Sequence, residues 1–407
     1  MLAVIIFFLI YLVIDIIIYL KISKINASYF NSYTLDLVLT VLIRLLPFMF
    51  SLHFYSNDSL KQIYVLIVIL YLSTVSRYIG YLLGRKIKVK QFRINGQIEA
   101  NKRYGNYLFI SNIISISSFL ILAFSGVGIK EWIFNSRYAY MTGRNGNGIW
   151  YILFELFIIV SLILSLCIAK NTTNKKKYLL VAFPLIESYF TGSKGFFIGI
   201  CVLIIFFIDR FEKRIELKKV IGLGIVGLLF VCILLSVQSN LSLLEYSDYY
   251  SNFMKFIKYV QDGNWNFTHG KIQLEDFFWK LLPRSLFPNK PTIYGEVRII
   301  ELFYSKAIIE MGNTPSFSEF VMPYADFGII GVFVSYFMKG VINGFLEREL
   351  NKSMNIFGCN FNAIFIFALF FICEPVNFNI VYVIIGALIF IAIQKINIRF
   401  VIIKREK

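Results

Sequence analysis

The chain has 407 residues, 58% hydrophobic, 18% aromatic and 16% charged, with a formal charge of +17 and a mean hydropathy of +0.70. Soluble domains carry about a quarter of their residues as charges, so this composition excludes an ordinary water-soluble protein and implies one solvated largely by lipid. The basic excess does not mark a nucleic-acid binder, because Lys and Arg gather in short clusters at the ends of apolar runs, the pattern that orients membrane helices.

In chain order, apolar runs near 2–20, 35–56, 62–83, 107–128, 149–169, 178–191, 194–208, 219–237, 324–346, 360–374 and 378–396 predict eleven spans, in a range of 10–12. A run of about 20 apolar residues crosses a hydrocarbon core of about 30 Å. The first run has no basic leader and no small-residue cleavage site, so it is expected to stay as a helix rather than be removed. The connections at 21–24, 85–103, 170–177, 210–219, 348–352 and 395–407 hold 25 Lys and Arg, against five (Lys61, Lys130, Arg137, Arg144 and Lys194) in the opposing short turns. Positive charge stays in the cytoplasm, so the amino terminus is expected outside and the carboxy terminus inside. The predicted fold is therefore all-α and polytopic. Residues 1–237 are amino-terminal spans, 238–316 a large extracytoplasmic loop and 317–407 carboxy-terminal spans.

Within the loop, Tyr249–Val260 spaces Phe253, Phe256, Ile257 and Val260 along one helical face with Lys255 and Lys258 off it, which predicts an amphipathic helix at the membrane surface. Cys167, Cys201, Cys232, Cys359 and Cys373 are scattered without CxxC pairing, and His53 and His269 have no ligand-like partners. Neither a disulfide framework nor a metal site is expected, and nothing in the sequence asks for a cofactor.

Ionisable residues at membrane depth are costly and mark function by default. Arg44 is central in its run and needs a partner or an aqueous cavity, whereas Arg77 and Lys339 lie close enough to the cytoplasmic side to snorkel. Gly143–Gly148 (GRNGNG) forms a turn carrying Arg144, seven residues after Arg137. It suits a phosphate or a plain solvated loop. Thr191–Gly195 (TGSKG) joins two runs so tightly that they form a hairpin, in which glycine backbone and Lys194 suit an anion. It is not a nucleotide-binding loop, since Gly195 follows the lysine, and a plain hairpin with a snorkelling lysine fits equally.

The stretch Leu282–Pro291 (LPRSLFPNKP) sets Arg284 and Lys290 on a proline-stiffened path, a pre-organised anion clamp, and Arg298 follows it. Gly312–Gly331 (GNTPSFSEFVMPYADFGIIG) then places Glu319 and Asp326 where the chain re-enters the membrane. Either is a candidate proton acceptor, or a structural carboxylate that caps a helix or pairs with Arg284 or Arg298. His269, among aromatic residues, is a further candidate base or sugar contact.

TGSKG between two spans, LPRSLFPNKP in a large outer loop and the re-entering PYADFGIIG together resemble the oligosaccharide repeat unit polymerases, the Wzy or O-antigen polymerase type. Lys194 stands where that family more often has Arg, which keeps the charge but loses bidentate phosphate contact. The resemblance implies a GT-C-like membrane fold in the bacterial cytoplasmic membrane with an extracytoplasmic active site. It implies transfer of a growing glycan from undecaprenyl pyrophosphate to a lipid-linked oligosaccharide repeat unit, by direct displacement with inversion.

By that resemblance the substrate partner is undecaprenyl-pyrophosphate-linked oligosaccharide in the lipid bilayer. A chain-length regulator and a flippase of the same pathway are further expected partners. Glu319 is the first candidate base, followed by Asp326 and His269, with Arg284, Lys290, Lys194, Arg144, Arg137, Arg298 and Arg44 as the cations for phosphate. Two alternatives stay open: a ligase-like glycan transferase, which shares the topology, and a flippase for lipid-linked sugars.

Overall fold

The computed structural model describes residues 2–52, 59–87, 100–143, 147–170, 177–212, 214–222, 225, 248–282, 287–311 and 317–357. Every regular element among them is a helix. In chain order these include α1 (Leu2–Asn26), α2 (Ser32–Val38), a π-helical turn (Leu39–Leu45), α3 (Leu46–Ser51), α4 (Leu60–Gly84), α5 (Ala100–Ser125), α6 (Ile129–Phe134) and α7 (Ser136–Thr142). They continue as α8 (Gly148–Lys170), α9 (Lys177–Tyr189), α10 (Lys194–Phe207), a π-helical turn (Ile208–Glu212), α11 (Asp248–Gln261), α12 (Lys271–Leu281), α13 (Glu296–Met311) and α14 (Val321–Phe357).

Five stretches, Leu2–Asn26, Leu60–Gly84, Gly105–Ser125, Gly148–Leu166 and Val321–Glu349, are long and apolar enough to cross a membrane, and each coincides with a predicted run. The runs at 178–191 and 194–208 form the shorter helices α9 and α10. Those at 360–374 and 378–396, and most of 219–237, lie outside the described residues. The run at 35–56 departs from expectation. It is broken into α2, the π turn and α3, with Pro47 at the start of α3. Proline has no N–H to offer the preceding turn, so the carbonyls there are met by a wider turn that carries Arg44.

The chain divides into two compact units: 1–87, 214–279 and 291–348 form the first, and 88–213, 280–290 and 349–407 the second. In the first, α1, α3, α4, α11 and the start of α14 enclose an aromatic core in which Phe8, Phe48, Tyr250, Phe253, Phe256 and Phe320 are essentially inaccessible. The apolar face of α11 was expected on lipid and is instead on protein. Phe253, Phe256 and Ile257 are fully buried against Phe48, Phe320 and Tyr324, while Lys255 and Lys258 are exposed as the periodicity predicts.

A close helix crossing in this unit uses two small-residue pairs, Gly80 and Gly84 on α4 with Gly340 and Gly344 on α14. A Cβ at these positions would lie 2.1, 2.0, 2.1 and 2.1 Å from the carbonyl oxygens of Phe337, Val341, Arg77 and Tyr81 respectively. Lipid offers no hydrophobic gain for helix association, so such backbone contact is what holds spans together. Below the crossing, the fully buried Glu347 carboxylate accepts from Tyr81 Oη (2.6 Å), Asn26 Nδ2 (2.6 Å) and the Ser32 amide (2.5 Å), and Arg85 donates to Asn26 Oδ1 (2.8 Å).

In the second unit α5, α8 and α9 pack through hydroxyls. Ser161 donates to Asn112 (2.7 Å), Ser111 to the Phe157 carbonyl (3.2 Å) and Ser115 to Glu187 (3.0 Å). The hairpin between α9 and α10 turns at Gly192, with φ +64° and a would-be Cβ 2.2 Å from the Ser136 carbonyl, so only glycine fits. Ser193 then caps α10 by accepting from the Phe196 amide at 3.3 Å.

Candidate active site

In the first unit the structure joins two residues that the sequence offered separately. Arg44, on the π turn, makes an ion pair through Nη1 with Glu319 Oε1, just ahead of α14, and its guanidinium lies 5.3 Å from the Tyr249 ring centroid. The Glu319 side chain is 29% exposed, but its second oxygen, Oε2, is buried. That oxygen has no hydrogen-bond partner among the described residues. Glu319 was expected to pair, if structurally, with Arg284 or Arg298. It pairs with Arg44, and Arg298 instead donates to Glu275 at 3.2 Å, linking α13 to α12.

Glu319 stands on the wall of a small polar cavity that reaches between α1, α2 and α4. Tyr11, Asp15, Tyr33, Thr40, Ser73, Thr74 and Arg77 line it, with Phe320 and Tyr336. Arg77 does not snorkel, as its place in the sequence suggested. It is buried, its guanidinium lies 4.3 Å from the Tyr33 ring centroid, and it donates to the Ser32 carbonyl at 3.3 Å. Desolvating a guanidinium is costly, and stacking on an aromatic face together with a carbonyl bond offsets part of that cost. Tyr11 Oη and Thr74 Oγ1 lie 3.3 Å apart, bonding α1 to α4. Sequence reasoning passed over Asp15, although one acid inside an otherwise apolar span was a signal in plain view.

Asp326 has a different occupation. It is fully buried, and its carboxylate accepts from Thr268 Oγ1 (2.5 Å) and from the amides of Ile272 and Gln273 (both 3.0 Å). These are amides of the first turn of α12, which have no partner inside their own helix, so Asp326 caps α12 from a distance and fastens it to α14. His269 is exposed, with φ +50° in the turn leading into α12. Its amide donates to the Asp326 carbonyl at 3.0 Å and its ring meets Phe327 edge-on at 6.1 Å.

Of the other candidate cations, Lys290, in the second unit, donates to the Leu282 carbonyl at 3.0 Å. Arg137 is exposed, with its guanidinium 5.1 Å from the Tyr140 ring centroid. Lys194 begins α10, where free amides and the helix dipole favour an anion. Arg144 and Arg284 lie outside the described residues. No group of three His, Cys, Asp or Glu suited to a metal occurs among the described residues.

The chain is 24% identical over 318 residues to the O-antigen polymerase of Salmonella typhimurium (strain LT2), covering 75% of this chain and 77% of that protein. The O-antigen polymerase of Salmonella typhi matches to the same extent. No family model and no solved structure matches. The similarity to O-antigen polymerases therefore runs far beyond the motif stretches at 191–195 and 282–331 that first suggested it.

Proposed function

We propose that this chain is a membrane polysaccharide polymerase. It moves a growing glycan from undecaprenyl pyrophosphate onto the terminal sugar hydroxyl of a new lipid-linked repeat unit, on the extracytoplasmic face of the bacterial cytoplasmic membrane. The observation that carries this reading is the Arg44–Glu319 pair. A half-buried carboxylate, whose buried second oxygen no described residue engages, is held by a guanidinium on the wall of a polar cavity, in a helical unit built from apolar spans.

In the reaction the Glu319 carboxylate accepts the proton of the acceptor hydroxyl. The acceptor oxygen bonds to the anomeric carbon of the donor as the bond to pyrophosphate breaks, and the electron pair leaves with the pyrophosphate. Attack opposite the leaving group inverts the anomeric centre. The leaving group is already a good one, so positioning and charge stabilisation supply most of the catalysis. Arg44 fixes the carboxylate and balances its charge. For the pyrophosphate, Arg284 is kept as the first candidate cation on the strength of the family resemblance alone.

The test is purified full-length protein in vesicles with undecaprenyl-pyrophosphate repeat units as the sole substrate. A ladder of products spaced by one repeat supports polymerisation. Transfer only to an added unrelated acceptor would make the protein a ligase, and lipid movement without bond formation would make it a transporter.

A further inference from the structure

Helix α12 carries an apolar face that its own unit leaves uncovered. Leu274, Phe277 and Phe278 are 57%, 37% and 54% exposed, and their spacing sets them in one stripe of the helix. The other sides are committed. Ile272 is fully buried, Glu275 accepts from Arg298, and Asp276 lies so close to Gly295 that a Cβ there would meet it at 2.6 Å. The stripe is therefore a defined face on a fixed helix.

Where that helix is fixed indicates what covers the stripe. Asp326 caps the first turn of α12, and the Phe327 ring lies against Gly270, 3.5 Å from where a Cβ would be. Phe267 packs in turn on Gly328, where a Cβ would stand 3.0 Å from its ring and where φ is +63°. Both aromatic residues are exposed, and on α14 they are followed by exposed Ile330, Phe333 and Val334. That part of α14 belongs to Val321–Glu349, one of the five membrane-length apolar stretches. The uncovered face of α12 thus starts at the end of a lipid-facing wall and continues it, with exposed Lys271, 4.0 Å from Glu275, beside it at the polar boundary.

We propose that α12 is an interfacial helix whose Leu274, Phe277 and Phe278 insert into the bilayer at the boundary between headgroups and acyl chains. Bilayer lipid, rather than a second protein or the glycan, occupies this face. The inference is independent of the polymerase reading, because it rests on the span and the cap alone.

The experiment uses full-length protein freed of its native cysteines, with one nitroxide label at Leu274→Cys, Phe277→Cys or Phe278→Cys, in vesicles of phosphatidylethanolamine and phosphatidylglycerol. Exposed Asp262→Cys is the aqueous reference. At 274 and 278 oxygen should relax the label several-fold more effectively than a water-soluble nickel chelate, with the order reversed at 262. Phe278→Trp read by quenching with brominated lipid gives an independent check, since the added fluorescence should be lost. Accessibility at 274, 277 and 278 equal to that at 262 overturns the proposal. So does label–label broadening that shows a second copy on the face, or protection that arises only when lipid-linked glycan is added.

Discussion

Gly344→Ala tests the helix crossing that holds the first unit together. The new methyl would stand 2.1 Å from the Tyr81 carbonyl oxygen and 2.9 Å from its carbon, where ordinary contact begins near 3.4 Å. Backbone cannot rotate aside as a side chain can, so α4 and α14 must part by about 1.3 Å at this level. Overpacking of this kind costs roughly 1–3 kcal/mol. The same movement stretches the 2.6 Å bond from Tyr81, on α4, to Glu347 beyond hydrogen-bond range, at about 0.6 kcal/mol for an interhelical bond in a membrane. The expected loss is roughly 2–4 kcal/mol, measured as equilibrium unfolding in mixed micelles. Gly105→Ala is the control, because nothing lies within 4 Å of the position and alanine is the better helix former. If Gly344→Ala matches the wild type in stability, the close crossing is wrong.

Three other outcomes follow from the same contacts. Asp326→Ala removes the remote cap of α12 and should cost about 1–2 kcal/mol, read as faster hydrogen exchange at 268–279, and unchanged exchange would remove the cap from the account. Arg44→Ala should lower polymerisation roughly 100-fold in well-expressed protein, with Arg44→Lys intermediate; full activity of Arg44→Ala would show the ion pair to be idle. In whole cells an impermeant thiol reagent should label Asp262→Cys and not Lys175→Cys on a cysteine-free background, and the reverse pattern would overturn the charge-based orientation.

The sequence made the membrane character and the five long spans plain, because about 20 apolar residues in a row have few other solutions. It made Glu319 and Arg44 visible one at a time, since each is an ion in an apolar setting, but their pairing spans 275 positions of sequence and no local pattern encodes it. Periodicity gave the apolar face of α11 correctly and could not say whether lipid or protein covers it. It underrated Arg77, since snorkelling and burial begin from the same spacing, and only the nearby Tyr33 ring decides between them. Asp326 was a candidate base with helix capping as the rival reading, and the structure shows the cap; both readings start from a lone carboxylate near a chain re-entry.

The central claim is that Glu319 takes the acceptor proton. Glu319→Gln keeps the size of the side chain and a contact for Arg44 while removing the proton acceptor. The measurement is ladder formation by purified Glu319→Gln protein in vesicles with undecaprenyl-pyrophosphate repeat units, alongside binding of the same substrate. The account predicts that polymerisation falls by about 100-fold or more while the lipid-linked substrate still binds. Ladders made at the wild-type rate would contradict it.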